Sequence, residues 1–399
     1  MIIGQFLLWA RTATPGQRAE AVGALARAYL YSDLSPDERW EAETAMTALL
    51  DDPSPLVRRA LAEAFAYASG APRHLVVALA NDQNDIAALV LSRSPVLSDA
   101  DLVDCAALGG ELIQTAVALR PRVSLGVSAA LAEIAAPGAL AVLAANEGAE
   151  IGASSFARIV ARHGGNPGVR GALLARSDLP LATRQAIAVA LSESLSSFVL
   201  ECGWLSRERA ERIVRESREK ATLALSSDAD REDVRRLVVH LRRTGQLTPA
   251  LILRALLSRH LAFVEAAFAE LSGLPEDRVH GLLWDARGAG LGPLLGKAGL
   301  PPSLAPAFAA AVAALRERRG DATPEAGARL SRLMIERVLS ACDALPAEEA
   351  GKLMALLRRF EAEAARDEAR LVAEALADEA ALEAVLEHAP EALTLQRAA

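Results

Sequence analysis

Aromatic side chains are scarce in this chain of 399 residues. They make up 4% of it, although hydrophobic residues reach 52%. A core of that composition is built mainly from Ala, Leu and Val, small enough to let helices approach closely, and the shortage of β-branched and aromatic runs excludes a sheet sandwich as the expected fold. The same shortage leaves few stacking platforms for single-stranded nucleic acid. Lysine is nearly absent: only Lys220, Lys297 and Lys352 stand among 43 basic residues, the rest being arginine. The three cysteines, Cys105, Cys202 and Cys342, lie far apart. They form neither a disulfide framework nor a metal-ligand spacing, and a reducing cytoplasm is the expected location. Long apolar runs are missing as well. The stretch Ile2 to Ala10 is interrupted by Gln5, is too short to span a bilayer and lacks a basic segment before it, so it predicts a buried first helix rather than a membrane span or signal peptide.

Positive charge is also short overall. The formal net charge of −8 speaks against a general nucleic-acid binder. It is unevenly spread, at −5 over residues 1–200, +4 over 201–319 and −7 over 320–399. The middle of the chain is its basic part.

What is present in abundance is helix signal with short breaks. Residues 2–12 and 16–31 read as helices, and Ser35-Pro36-Asp37-Glu38 opens another, with a capping serine, a proline at the first position and acids at the positive helix end. The stretch Leu49 to Ala62 follows as a tight turn and second helix. Asp52 is placed to cap, Pro53 and Pro55 suit the turn, and Val57, Leu61 and Ala64 share one face. Arg58 is within reach of the acidic turn at Asp51 or Asp52. Related turns recur at Leu79 to Ile86, Leu143 to Ile151 and Arg176 to Pro180, and further helices are predicted near 98–108, 110–120 and 124–135. Two helices per 30 to 40 residues is the pattern of an α-solenoid, in which each unit buries its apolar face only against its neighbours.

The residues Ala71-Pro72-Arg73 to Asp82, Leu91 to Leu102, Ala118-Leu119-Arg120, Asn146 to Ile151 and Ala175 to Pro180 resemble the bacterial domain-of-unknown-function family 2336. The resemblance covers about residues 1–190, with a continuation toward 315. It implies a HEAT-like helical repeat protein of alphaproteobacterial type, without an established activity, and it lends no catalytic residues.

The remainder reads as three further segments after a solenoid of residues 1–195. A charged linker helix occupies 196–228, with Glu208/Arg212, Glu211/Arg215 and Glu216/Lys220 spaced for pairing along one face and Ser226-Ser227-Asp228 as its polar end. A second helical domain at 229–319 has helices near 231–243, 248–258, 260–272, 276–287 and 303–318, punctuated by Gly245, Gly273 and the glycines after Arg287. Acidic helices from Asp321 onward complete the chain. Within them Leu353, Leu357, Phe360, Ala364 and Leu371 suit a helical hairpin docked on the body better than a dimer zipper, since Asp367 falls in the seam. Thr394 to Ala399 should fray.

Sequence patterns with catalytic meaning fail on inspection. Gly288 to Lys297 superficially suggests a phosphate loop, but Leu291 stands where the first glycine belongs and Ala298 where a hydroxyl would hold a metal. His240, His260 and His280 are spaced by twenty, which sets no helical face, and none has a His or Cys three or four residues away. His74, His163 and His388 are isolated, and no serine sits in a nucleophile elbow. No metal, cofactor or enzymatic role is implied. The candidate binding residues are Arg235, Arg236, Arg242, Arg243, Arg254 and Arg259, whose guanidinium groups suit an acidic protein surface or a phosphate-bearing ligand. The expected function is a cytoplasmic interaction or scaffolding module with a protein partner, for signalling or cell-cycle control. Two alternatives stand beside it. A HEAT-like DNA-repair enzyme would need an aromatic residue and a carboxylate in a basic groove, with only Trp9 and Trp40 as N-terminal tryptophans. A nucleotide or small-anion receptor would use the basic middle.

Overall fold

A computed structural model describes residues 2–285, 288–317, 324–342 and 347–387, and divides the chain into two compact units, Met1–Val214 and Arg215–Ala399. Arg287, Asp321, His388 and Thr394 to Ala399 lie outside the described residues. Among those described, every regular element is a helix, apart from one isolated parallel bridge. The fold is all-α.

Unit 1 contains α1 (Ile2–Ala10), α2 (Pro15–Tyr31), α3 (Pro36–Ala48), α4 (Pro55–Phe65), α5 (Arg73–Ala80), α6 (Asn84–Leu91), α7 (Asp99–Leu108), α8 (Glu111–Ala118), α9 (Leu125–Ile134), α10 (Pro137–Ala145), α11 (Ala153–His163), α12 (Pro167–Ala175) and α13 (Leu181–Glu201), and ends within α14 (Arg207–Ser227). From α2 to α12 each even-numbered helix packs on the next even one. From α7 to α13 the odd-numbered helices do the same. Two layers result, because each short helix has one apolar face to bury and only its neighbours can cover it. Val57, Leu61, Leu75, Leu79, Ile86, Leu131, Leu140 and Phe156 fill the core between the layers.

Local sequence explains the helix starts. Thr14 with Gln17, Ser35 with Glu38 and Ser98 with Asp101 form reciprocal capping boxes. Each such cap contributes about 1 kcal/mol. Asp52 acts differently from the capping role expected of it. Its Oδ1 accepts from the Ser54 amide at 2.8 Å within the turn, while Ser54 is the N-cap residue of α4 and makes no side-chain cap bond.

Arginines stitch successive turns together across the stack. Arg18 donates through Nε and Nη2 to Asp52, 34 residues away, at 2.7 and 2.9 Å. Arg58 holds the Asp82 carboxylate and the Asp52 carbonyl, matching the expected reach to that turn. Further along, the acceptors are the orphan carbonyls at helix C-termini. Arg120 donates to Leu91 and Ser94 at 2.6 and 2.8 Å, Arg162 to Ala132 and Ala135, and Arg176 to Ala144, Asn146 and Ala149. The turn at Asn146 to Ile151 adds backbone pairing: the Val123 amide donates to the Gly148 carbonyl and the Glu150 amide to the Val123 carbonyl. A Cβ at Gly148 would lie 2.0 Å from the Pro121 carbonyl oxygen, so only glycine fits this approach.

Unit 2 takes the rest of α14, then α15 (Arg231–Arg243), α16 (Pro249–Leu257), α17 (Leu261–Ser272), α18 (Glu276–Leu283), α19 (Leu291–Lys297), α20 (Ala305–Glu317), α21 (Pro324–Cys342) and α22 (Ala347–Glu387). Residues 229–319 and 320–399, separate on the sequence reading, share this one unit. The boundary between units falls inside α14 rather than at 195 or 228. Helix α13 passes through 195 unbroken, and Ser226 and Ser227 belong to the last turn of α14, their hydroxyls donating to the Leu223 carbonyl instead of opening a linker. Helix α21 packs on both α20 and α22, which makes the expected hairpin part of the unit's body, with Leu353, Leu357 and Phe360 buried. No helix among the described residues is long and apolar enough to cross a membrane.

Candidate functional site

In helix α16 the residues from Leu251 to Leu257 are all buried, Arg254 among them. A guanidinium on a helix with no polar face must find its partners inside the fold. Arg254 does so while remaining only 5% exposed: Nε donates to Glu219 of α14 at 2.8 Å and Nη1 to Glu363 of α22 at 2.5 Å. Its Cζ stands 4.2 Å from the centroid of the Phe360 ring, a cation–π contact. The third nitrogen, Nη2, is buried and has no hydrogen-bond partner among the described residues.

Arg254 lines a cavity of about 650 Å³ bounded by α14, α16, α21, α22 and the turn after α16. That turn is unusual. Arg259 has φ 65°, and the Arg259 and His260 amides close back on the Leu256 and Ala255 carbonyls in the pattern that ends many helices. Glycine is the usual residue at this left-handed position, because a Cβ there crowds the following carbonyl. Charged side chains at the cavity wall are Lys220, Arg254, Arg259 and Arg370 against Glu363 and Asp367. Lys220 lies 3.3 Å from Asp367 and 3.8 Å from Glu363. The polar residue in the apolar seam of α22 thereby has its partner. His260 also faces the cavity, with Nδ1 3.4 Å from the Ser227 hydroxyl; burial lowers its pKa and keeps the ring neutral at pH 7.

Of the six arginines singled out by the sequence, only Arg254 and Arg259 meet at this cavity. On α15, Arg235 pairs with Glu232 and Glu276, Arg236 with Asp233, and Arg242 with Glu270. Arg243 is exposed on the same helix. The i,i+3 acids explain this arrangement, since α15 turns a charged face to solvent and neutralises much of it locally. Of the pairs expected along α14, Glu216/Lys220 is replaced as well. Glu216 faces Arg359 at 3.3 Å, Glu219 faces Arg254, and Lys220 faces α22, because long side chains on a packed helix reach the neighbouring helix before their own next turn.

The histidines spaced by twenty go to separate places. His240 sits on α15, His260 at the cavity, and His280 Nδ1 is 2.6 Å from Glu265, a buried carboxylate that also accepts from Trp284 Nε1 at 3.1 Å. Glu276 and Asp277 stand in the first turn of α18, where Glu276 pairs with Arg235. Among the described residues no group of three His, Cys, Asp or Glu side chains is placed to hold a metal ion. The glycines after Arg287 lead into α19, with Gly290 pressed against Leu282. Ser227, Glu363 and Arg370 escaped sequence reasoning, and Lys220 and His260 were not linked to this site, since only packing of α14 and α22 around α16 assembles them.

Unit 1 carries a second concavity. Leu89, Leu112, Ala116 and Leu119 wall a groove of about 690 Å³ between α6 and α8, with Asp85, Glu111 and Arg93 among its polar lining. Leu112 is 52% and Leu119 59% exposed, so apolar surface stands open there.

No curated protein and no solved structure matched this chain. A family model described as an uncharacterised protein conserved in bacteria (DUF2336) matches residues 86–348. The match begins in α6, excludes the Ala71 to Asp82 portion of the resemblance, and continues beyond 190 and 315 through much of unit 2. Since it covers well over half of the sequence, the chain belongs to the DUF2336 family of bacterial proteins.

Proposed function

We propose that this protein is a non-enzymatic interaction module of the bacterial cytoplasm, a HEAT-like stack that binds a partner protein through the layer formed by the even-numbered helices of unit 1. The observation that carries this reading is the open groove between α6 and α8, whose floor is leucine and alanine while its edges hold charges of both signs. Two adjacent helices of one layer frame a trough suited to the apolar face of a partner's amphipathic helix, which would anchor through residues three and four apart. Charge supports a protein partner over nucleic acid. In unit 1, Arg18, Arg58, Arg120, Arg162 and Arg176 are already bonded to carboxylates and carbonyls of the stack, so they do not build a phosphate track.

A photo-crosslinking amino acid placed at Leu112 tests the reading in native cytosol. Capture of one protein that L119D abolishes, and that binds the purified chain directly, is the expected result. Crosslinks that do not depend on position 112, or a captured protein indifferent to L119D, would count against it.

A further inference from the structure

The cavity in unit 2 holds chemistry that partner binding at the α6–α8 groove does not use. Its two wall carboxylates are engaged, Glu363 by Arg254 and Lys220 and Asp367 by Lys220. Arg259 and Arg370 have no carboxylate partner among the described residues, and the buried Nη2 of Arg254 has no acceptor. Positive charge and one desolvated donor are therefore left over at a single concavity. A buried charged donor without an acceptor is costly, and a site that keeps one is short of a group that accepts. Arg259 adds an independent observation. It holds the left-handed position that glycine fills without strain, and what arginine supplies there beyond glycine is its guanidinium.

The rest of the wall has an apolar part, Leu223, Leu257, Ile335, Leu371 and Phe360, beside His260 and three serines. A cavity of about 650 Å³ falls within the range of about 300–1,000 Å³ common for small-molecule sites, in which apolar walls carry a few convergent polar groups. A phosphate monoester carries about −1.5 to −2 charge at pH 7 and three acceptor oxygens. That matches two uncompensated guanidinium groups and one orphan donor better than a monocarboxylate does. We infer that this cavity binds a phosphate monoester carried on an organic body of nucleotide size, with Arg254, Arg259 and Arg370 gathered on the phosphate and the mixed leucine- and serine-bearing wall on the body. The shared chemistry fits a nucleoside monophosphate or a phosphatidate headgroup.

Calorimetric titration of the full chain with AMP, GMP, dihexanoyl phosphatidic acid, inorganic phosphate and adenosine tests this and separates the two sources. At least one of the three esters should bind with a Kd below about 1 mM, about tenfold or more tighter than inorganic phosphate, while adenosine gives no heat. Whichever ester binds tighter identifies the source. R370A and R259G should each weaken that binding about fivefold or more. R259G is the sharper variant because relief of the left-handed strain should raise the thermal midpoint while affinity falls, which a merely unfolded protein would not do. No heat from any ester at about 5 mM, an ester no tighter than inorganic phosphate, or an R259G chain that binds as the wild type does, overturns the inference.

Discussion

Arg254 Nε and Glu219 Oε2 lie 2.8 Å apart in the interior of unit 2, joining α16 to α14, while the other edge of the same guanidinium holds Glu363 of α22. Burial raises the Glu219 pKa, and the attraction of Arg254 opposes that rise without cancelling it. Because the folded-state value stands above the ordinary 4.5, Glu219 favours folding most in acid and loses that contribution as pH climbs through its raised value. Arg254 is thus what makes the ionised pair tolerable at neutral pH. The variant R254M, which strips Glu219 of its ion-pair partner and leaves Glu363 only the more distant Lys220, should cost about 3 kcal/mol in urea unfolding, and adding E219Q and E363Q should restore part of the loss. A change within about 0.5 kcal/mol for R254M alone would contradict the role given to this pair.

Gly148 is fixed by packing rather than by φ. The turn that contains it exchanges backbone hydrogen bonds with Val123, and its Cα faces the Pro121 carbonyl so closely that a methyl group has no room. G148A should destabilise unit 1 by about 2 kcal/mol or more, whereas G165A, where a Cβ meets nothing within 4 Å, should be near neutral. Equal denaturation midpoints for the two variants would show that the turn yields easily.

Asp52 gives unit 1 a predictable response to acid. Burial pushes its carboxyl up, but hydrogen bonds from Arg18 and the Ser54 amide, with the charges of Arg18 and Arg58, outweigh it and hold the pKa below the ordinary 3.8. A depressed folded-state value means that stability from this group is present above 3.8 and is lost as pH falls through the folded value. Hydrogen-exchange protection of the amides at the start of α4 should therefore decline below about pH 4 in the wild type, and D52N should lower that protection at pH 7 and flatten its decline. Protection that is independent of pH in the wild type would remove Asp52 from the account.

Much of the helical framework was legible in the sequence, because caps and prolines mark helix starts through local chemistry. The range 231–243 matches α15 at both ends, and the Ser35 box behaves as its residues require. Two features resisted for physical reasons. Ala-rich helices such as α13 carry no stop signal where a domain boundary might be drawn, so the division at Val214 depends on long-range packing. The arginine cluster misled because charge count does not separate a solvent face from an internal bridge: Arg235 and Arg236 are balanced by Glu232 and Asp233 three residues earlier, while Arg254 stands alone in an otherwise apolar helix. That isolation was the available signal. Its partners at 219 and 363 were not, being 35 and 109 residues away.

The groove between α6 and α8 is where the proposed function stands or falls, and Leu108, 87% exposed at the end of α7 and absent from the groove wall, supplies the control. Once the protein captured at position 112 is purified, its affinity for wild type, L112D and L108D chains can be measured side by side at equal helicity. L112D should weaken binding about tenfold or more while L108D leaves it unchanged. Equal affinity for all three chains would contradict the proposed function.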